Sequence, residues 1–157
     1  MLTLADLIQR WPKAGRVVWI GTRSKRRSSM QALPETTVGA EGLIGDHSNA
    51  GKRAVTLMQA EHLNAIGAYL GRPDPVAAAD LRRNLVVAGL NLSALKGRQV
   101  NVGTAVLRIT GICAPCSRME ETFGHGGYSA VRGHGGWCAE VIEPGRVCLE
   151  DEVTPID

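Results

Sequence analysis

The segment Gln99-Val100-Asn101-Val102-Gly103-Thr104-Ala105-Val106-Leu107-Arg108-Ile109-Thr110-Gly111-Ile112 decides the fold class. Runs rich in Val, Ile and Thr, broken by glycine, suit extended chain better than helix. Strands are therefore expected near Gln99–Val102 and Ala105–Ile112. Upstream, Arg16–Ile20, Ala54–Met58 and Leu85–Val87 read the same way. Downstream, Trp137–Ile142 and Arg146–Leu149 read as a final hairpin turned at Pro144-Gly145. The 19 glycines recur along the chain with short β-rich runs between them. That is the rhythm of many short strands joined by tight turns.

Helical patterns are few and isolated. Thr3 is a plausible N-cap for a short helix carrying Leu4, Leu7, Ile8 and Trp11. Gln59–Leu70 places Leu63, Ile66 and Leu70 on one face, with Gly71 just past its end. Shorter helical turns are expected at Pro75–Asp80, Pro115–Thr122 and Tyr128–Arg132. Strand and helix do not alternate as in a doubly wound sheet. The expectation is one mainly-β domain: a closed or partly open β-barrel with a few short peripheral helices.

Composition narrows the function. With 157 residues the chain is long enough for a real core, and 44% apolar residues exclude disorder. A net charge of +3 suits a small anionic ligand and is too mild to argue for a nucleic-acid polymer. Three Trp, two Tyr and one Phe supply base stacking poorly. No window approaches the roughly 20 apolar residues of a membrane span. No leader is evident at the start, so a cytoplasmic location is expected. There the four cysteines are reduced thiols, each to be explained as core filler, metal ligand or nucleophile.

The chemistry concentrates at Cys113-Ala114-Pro115-Cys116-Ser117-Arg118-Met119-Glu120, where an apolar strand runs into an expected helix start. Free backbone N–H groups, the helix dipole and Arg118 would lower the Cys116 thiol pKa. A thiolate is both nucleophile and soft metal ligand. Half a zinc site, a redox dithiol, and a pair of small buried hydrophobes are alternatives. Cys138 and Cys148 read as core fillers.

Arg82-Arg83-Asn84 enters the strand at Leu85, and adjacent residues of an extended chain face opposite sides. One arginine would face a pocket and bind phosphate bidentately. Lys52 and Arg53 would supply further phosphate contacts oriented by Asp46 and His47, the alternative being a plain polar turn before the strand. His134-Gly135-Gly136-Trp137 offers bare backbone for a close approach. The basic run Arg23 to Arg27 reads as a solvated loop, and Glu120 and Glu121 as helix-surface acids.

Taken together, these elements resemble the MOSC family, named for the C-terminal domain of molybdenum cofactor sulfurase. The match runs through Gly42–His47, Lys52–Val55, Leu81–Leu90, Leu95–Gly97, Val102-Gly103, Cys113–Glu120 and Gly135–Trp137, over about residues 15–153. The Arg-Arg-Asn-Leu and Pro-Cys-x-x-Met elements are its most specific parts. The resemblance implies a strand-rich barrel and makes Cys116 the family's required cysteine. That residue would ligate molybdenum in a molybdopterin cofactor or carry sulfur as a persulfide.

On this reading Arg82 or Arg83, with Lys52, holds the pterin phosphate, and Asn84 donates hydrogen bonds. Arg118 supports the thiolate, and Cys113 tunes or resolves Cys116. Some members reduce N-hydroxylated compounds, which here would need a separate reductase; a sulfur carrier would need a desulfurase partner. Pyridoxal phosphate belongs to the sulfurase's fused desulfurase domain, and no lysine here stands out as its site. A non-catalytic adaptor module is the remaining alternative.

Overall fold

The computed structural model describes residues 1–156. Its strands are β1 (Gly15–Thr22), β2 (Gln31–Ala32), β3 (Glu35–Gly39), β4 (Gly42–Leu43), β5 (Val55–Gln59) and β6 (Leu85–Ala88). They continue with β7 (Gln99–Val102), β8 (Ala105–Ile112), β9 (Trp137–Glu143), β10 (Gly145–Cys148) and β11 (Glu152–Pro155). The helices are α1 (Leu4–Leu7), α2 (Ala60–Tyr69), α3 (Ala78–Leu81), α4 (Arg118–Phe123) and α5 (Gly127–Val131), with a 3-10 turn at Leu92–Leu95. No helix among the described residues is long and apolar enough to cross a membrane.

Neighbouring strands run β11-β7-β8-β9-β5-β6-β1, and β11 also pairs with β1, so seven strands close a barrel. The closing contacts are Gly15↔Val153 and Arg16↔Glu152. Antiparallel pairing dominates, with one parallel pair, β5–β6. That pair needs a crossover, which α2 and α3 supply on the outside of the barrel.

The segment Gln99–Ile112 forms the hairpin β7–β8, turning at Gly103, whose φ of +59° suits glycine. A Cβ at Gly103 would also meet the Arg146 carbonyl of β10, which lies across the turn. Along the strands, alternate residues point inward. Val17, Val55, Leu57, Leu85, Val87, Val100, Val102, Leu107, Ile109 and Val153 are all fully buried in one cluster. A second cluster (Met58, Ile66, Leu81, Val86, Met119, Phe123 and Val131) seats the helices against the outer face.

Several expectations are corrected. Strands β9 and β10 do not form a hairpin: β9 is hydrogen-bonded to β5 and β8, and β10 to β3. Pro144 redirects the chain into a separate sheet, β10-β3-β4. Strands β2, β3, β4 and β11 had no strong periodicity, and each gains its order from partners distant in sequence. Helix α1 keeps its expected cap, a reciprocal Thr3–Asp6 capping box, but buries no residue. Helix α4 begins at Arg118, later than expected, so Pro115 and Cys116 belong to the loop before it.

Candidate functional site

One mouth of the barrel gathers the end of β1, the starts of β5 and β6, the end of β8 and the start of β9. A cavity of about 770 Å³ opens there. Its walls carry five cationic side chains, Arg23, Lys52, Arg53, Arg82 and Arg83, against one carboxylate, Asp46. Asp46 is already engaged: its carboxylate accepts from Arg23 N at 2.9 Å and from Asn84 Nδ2 at 3.1 Å. The Nε of Arg23 is buried and has no hydrogen-bond partner within the protein. A buried donor without a partner is costly, and an anion in the cavity would relieve it.

The Arg-Arg-Asn element works differently from the expected extended dipeptide. Arg82 caps α3 in the left-handed region, with φ +60° and ψ +38°. Strained backbone of this kind persists where its surroundings hold it. Both arginines consequently line the cavity. Arg82 Nη2 donates to the carbonyls of Arg26 at 3.0 Å and Ser28 at 2.9 Å, tethering the basic loop after β1. Arg83 donates from Nε to Gly135 O at 2.6 Å and from Nη2 to Ala114 O at 3.2 Å. It thereby ties together the cysteine loop and the glycine loop.

Asn84 is 5% exposed and fully committed. Its Oδ1 accepts from Thr56 N at 3.0 Å and Thr56 Oγ1 at 3.1 Å. Its Nδ2 donates to Gly21 O at 3.2 Å as well as to Asp46. Asn84 thus locks β1, β5 and β6 at the mouth. Asn84 lines the cavity as expected of a site residue, with its amide donors used within the protein.

Cys113 lines this cavity and also a smaller one of about 320 Å³, whose wall includes Ile112, Pro115, Tyr128 and Trp137. Its thiol is lowered to about 6, first by the hydrogen bond from Cys138, then by Arg83, Arg53 and Arg23, against the opposing effect of burial. The same hydrogen bond, together with burial, pushes the Cys138 thiol up. Cys138 was expected to be inert filler; it is a buried member of the cavity wall.

Cys116 is exposed, three residues further along the loop, and is not among the residues lining the large cavity. Its sulfur is nonetheless near enough to favour the charged form of Arg82, which burial, Arg23 and Arg118 disfavour. Arg118 faces a separate cleft of about 210 Å³ that it shares with the other flank of Arg82. The structure therefore brings together Lys52, Arg82, Arg83, Asn84 and Cys113, and leaves Cys116 and Arg118 outside the large cavity. No cluster of three or more His, Cys, Asp or Glu suited to a metal ion occurs among the described residues.

Sequence reasoning passed over two groups. Arg23 was read as part of a solvated loop, though it directly follows an inward-facing strand end. Glu120 was read as a surface acid, yet it accepts from the amides of Gly126 at 2.8 Å and Tyr128 at 3.0 Å and so joins α4 to α5. Those amide bonds hold its carboxyl below the usual range.

The MOSC domain family model matches residues 44–154, spanning every wall of the cavity except the end of β1. The chain belongs to the MOSC domain family. Solved structures agree with this MOSC fold. The YuaD protein of Bacillus subtilis superposes with a TM-score of 0.77 at 17% identity, over 90% of this chain and 94% of that one. YiiM of Geobacillus stearothermophilus gives 0.75 at 18%, over 91% and 75%. YiiM of Escherichia coli gives 0.70 at 22%, over 90% and 70%. No curated protein sequence matches the chain. Within this MOSC domain, the cysteine loop and the arginine element meet through one hydrogen bond, Arg83 to Ala114 O.

Proposed function

We propose that this MOSC domain binds a phosphate-bearing molybdopterin cofactor in the cationic cavity, with Cys116 as the sulfur ligand to molybdenum. The excess of five cations over one engaged carboxylate, including the unpartnered Arg23 Nε, carries the reading. The donor set fits. Guanidinium forks suit phosphate, and soft thiolate sulfur suits this metal.

Arg23, Lys52 and Arg53 would hold the phosphate, because Arg82 and Arg83 already donate to backbone carbonyls. Those two arginines add charge and fix the loops around the ligand. When bound, the metal would supply oxygen-atom chemistry, such as reduction of N-hydroxylated compounds with electrons from a separate reductase. The protein's own part is to bind the anion, present the sulfur and hold the loops in place.

Native purification followed by molybdenum and fluorescent-pterin analysis tests this. About one cofactor per chain is expected, with loss of the metal in Cys116→Ala and loss of the pterin in Arg53→Ala. Equal metal content in Cys116→Ala would remove the assignment of that ligand.

The exposure of Cys116 favours a second reading. A sulfur open to solvent is reachable by a desulfurase partner, and Cys116 would then carry a persulfide. Mass spectrometry after incubation with a desulfurase and cysteine would show one added sulfur on Cys116 without bound pterin. Neither cofactor nor sulfur uptake would leave a non-catalytic adaptor.

A further inference from the structure

The sequence pairs Cys113 with Cys116, but the fold pairs Cys113 with Cys138. On the β8–β9 ladder Gly111 stands opposite Cys138 and Ile112 opposite Trp137. The next rung is closed by Cys113 N donating to Gly136 O at 2.8 Å. Gly111 thus faces Cys138, and Cys113 lies across from Gly136 two residues further along the ladder. Two of the four are glycines, each directly across from a cysteine. Cys113 and Cys138 stand on neighbouring rungs, diagonal to one another, and both line the same cavity.

The surroundings favour reaction. Both cysteines line the cationic cavity, so a small solute reaches them from the mouth. Arg83, Arg53 and Arg23 line the same cavity and, with the neighbouring Cys138 thiol, favour negative charge on the Cys113 sulfur. Lowered, accessible thiols beside a second thiol are the ones that oxidise reversibly.

We propose that Cys113 and Cys138 form a peroxide-responsive dithiol in the wall of the cavity, with Cys113 attacking and Cys138 resolving. The Cys113 thiolate attacks one oxygen of a hydroperoxide. The O–O bond breaks, leaving Cys113 as sulfenic acid and releasing hydroxide or alkoxide, which takes up a proton. The Cys138 sulfur then attacks the Cys113 sulfur. The S–O bond breaks, the S–S bond forms, and the Cys138 proton leaves with the hydroxyl as water. Two electrons pass from the thiols to the peroxide.

Cys116, exposed and outside the cavity, takes no part. The inference is independent of the cofactor reading: it needs only this chain and a peroxide.

The experiment treats the reduced full-length chain with hydrogen peroxide, then digests it with trypsin under non-reducing conditions. Cys113 and Cys116 share the peptide 109–118, and Cys138 lies in 133–146. Expected is a cross-link between these peptides in the wild type and equally in Cys116→Ser, with loss of two of the four titratable thiols. In Cys138→Ala, Cys113 should be trapped by dimedone as sulfenic acid. A cross-link inside peptide 109–118, oxidation of Cys116 ahead of Cys113, or a wild-type chain retaining all four thiols would overturn the proposal. The wild-type peptide map alone decides it should either variant fail to fold.

Discussion

Replacing Asn84 with alanine separates a structural role from a ligand-binding one. The side chain makes four hydrogen bonds, to Thr56 N, Thr56 Oγ1, Gly21 O and Asp46 Oδ2. Each is worth about 0.5–1.5 kcal/mol net, and an amide or carbonyl left buried without a partner costs more. Asp46 and Thr56 both line the cavity, so water can rehydrate part of what the mutation exposes. The backbone groups of Thr56 and Gly21 lie deeper and recover less. A loss of about 2–4 kcal/mol follows.

For a domain of this size that lowers Tm by about 5–15 °C. Urea unfolding should show a lower midpoint at unchanged slope, since the surface exposed on unfolding is the same. Phosphate or cofactor affinity, measured below the transition, should fall less than in Arg53→Ala. A destabilisation under about 1 kcal/mol would refute the claim that Asn84 locks the three strands. Abolished ligand binding in a chain of unaltered stability would instead return Asn84 to the ligand.

Two further predictions follow from the site's geometry. Alkylation of Cys113 should reach half its maximal rate near pH 6, the value set by Cys138 and the neighbouring arginines, and in Cys138→Ala that midpoint should move up toward ordinary thiol behaviour. The folded thiol binds its proton more weakly than the unfolded one, so its contribution to stability is present above the unfolded value of about 8.5 and is lost as pH falls through the folded one. A Cys113 midpoint unmoved by Cys138→Ala would deny the sulfur–sulfur hydrogen bond. Gly136→Ala should cost about 2–4 kcal/mol in thermal or urea unfolding, through positive-φ strain and displaced backbone. Gly136 has φ +94°, and a Cβ there would collide with Leu57 O, whereas Gly133→Ala, with no atom within 4 Å of the added carbon, should cost less.

The barrel was legible where periodicity is local. Gln99–Ile112 and Gln59–Leu70 carry their own alternation or helical face, and both elements lie where the pattern puts them. The partners of β10 were not legible, because a proline-glycine between two β-rich runs looks like a hairpin turn whichever strand the chain next joins. In the site, Arg82 and Arg83 were singled out, but their shared orientation depends on a left-handed residue that no glycine announces. The placement of Cys138 beside Cys113 was hidden for a related reason: it arises from ladder register across the 24 intervening residues, where spacing along the chain carries no information.

Barrel closure by β11 has a consequence for biosynthesis. The far end of β1 is edged by β2 at Gly21 and Thr22, but its start at Gly15 and Arg16 gains a second edge only when Val153 and Glu152 have been made and delivered. Until then the emerging polypeptide keeps that stretch of β1 unpaired on one side, with its amides and carbonyls open to adventitious strands. Such distant joins are slow to find, since loop entropy is lost before contacts compensate. A ribosome-stalled chain halted before residue 152 should therefore be protease-sensitive at the start of β1, around Gly15–Val17, however complete its cavity residues already are.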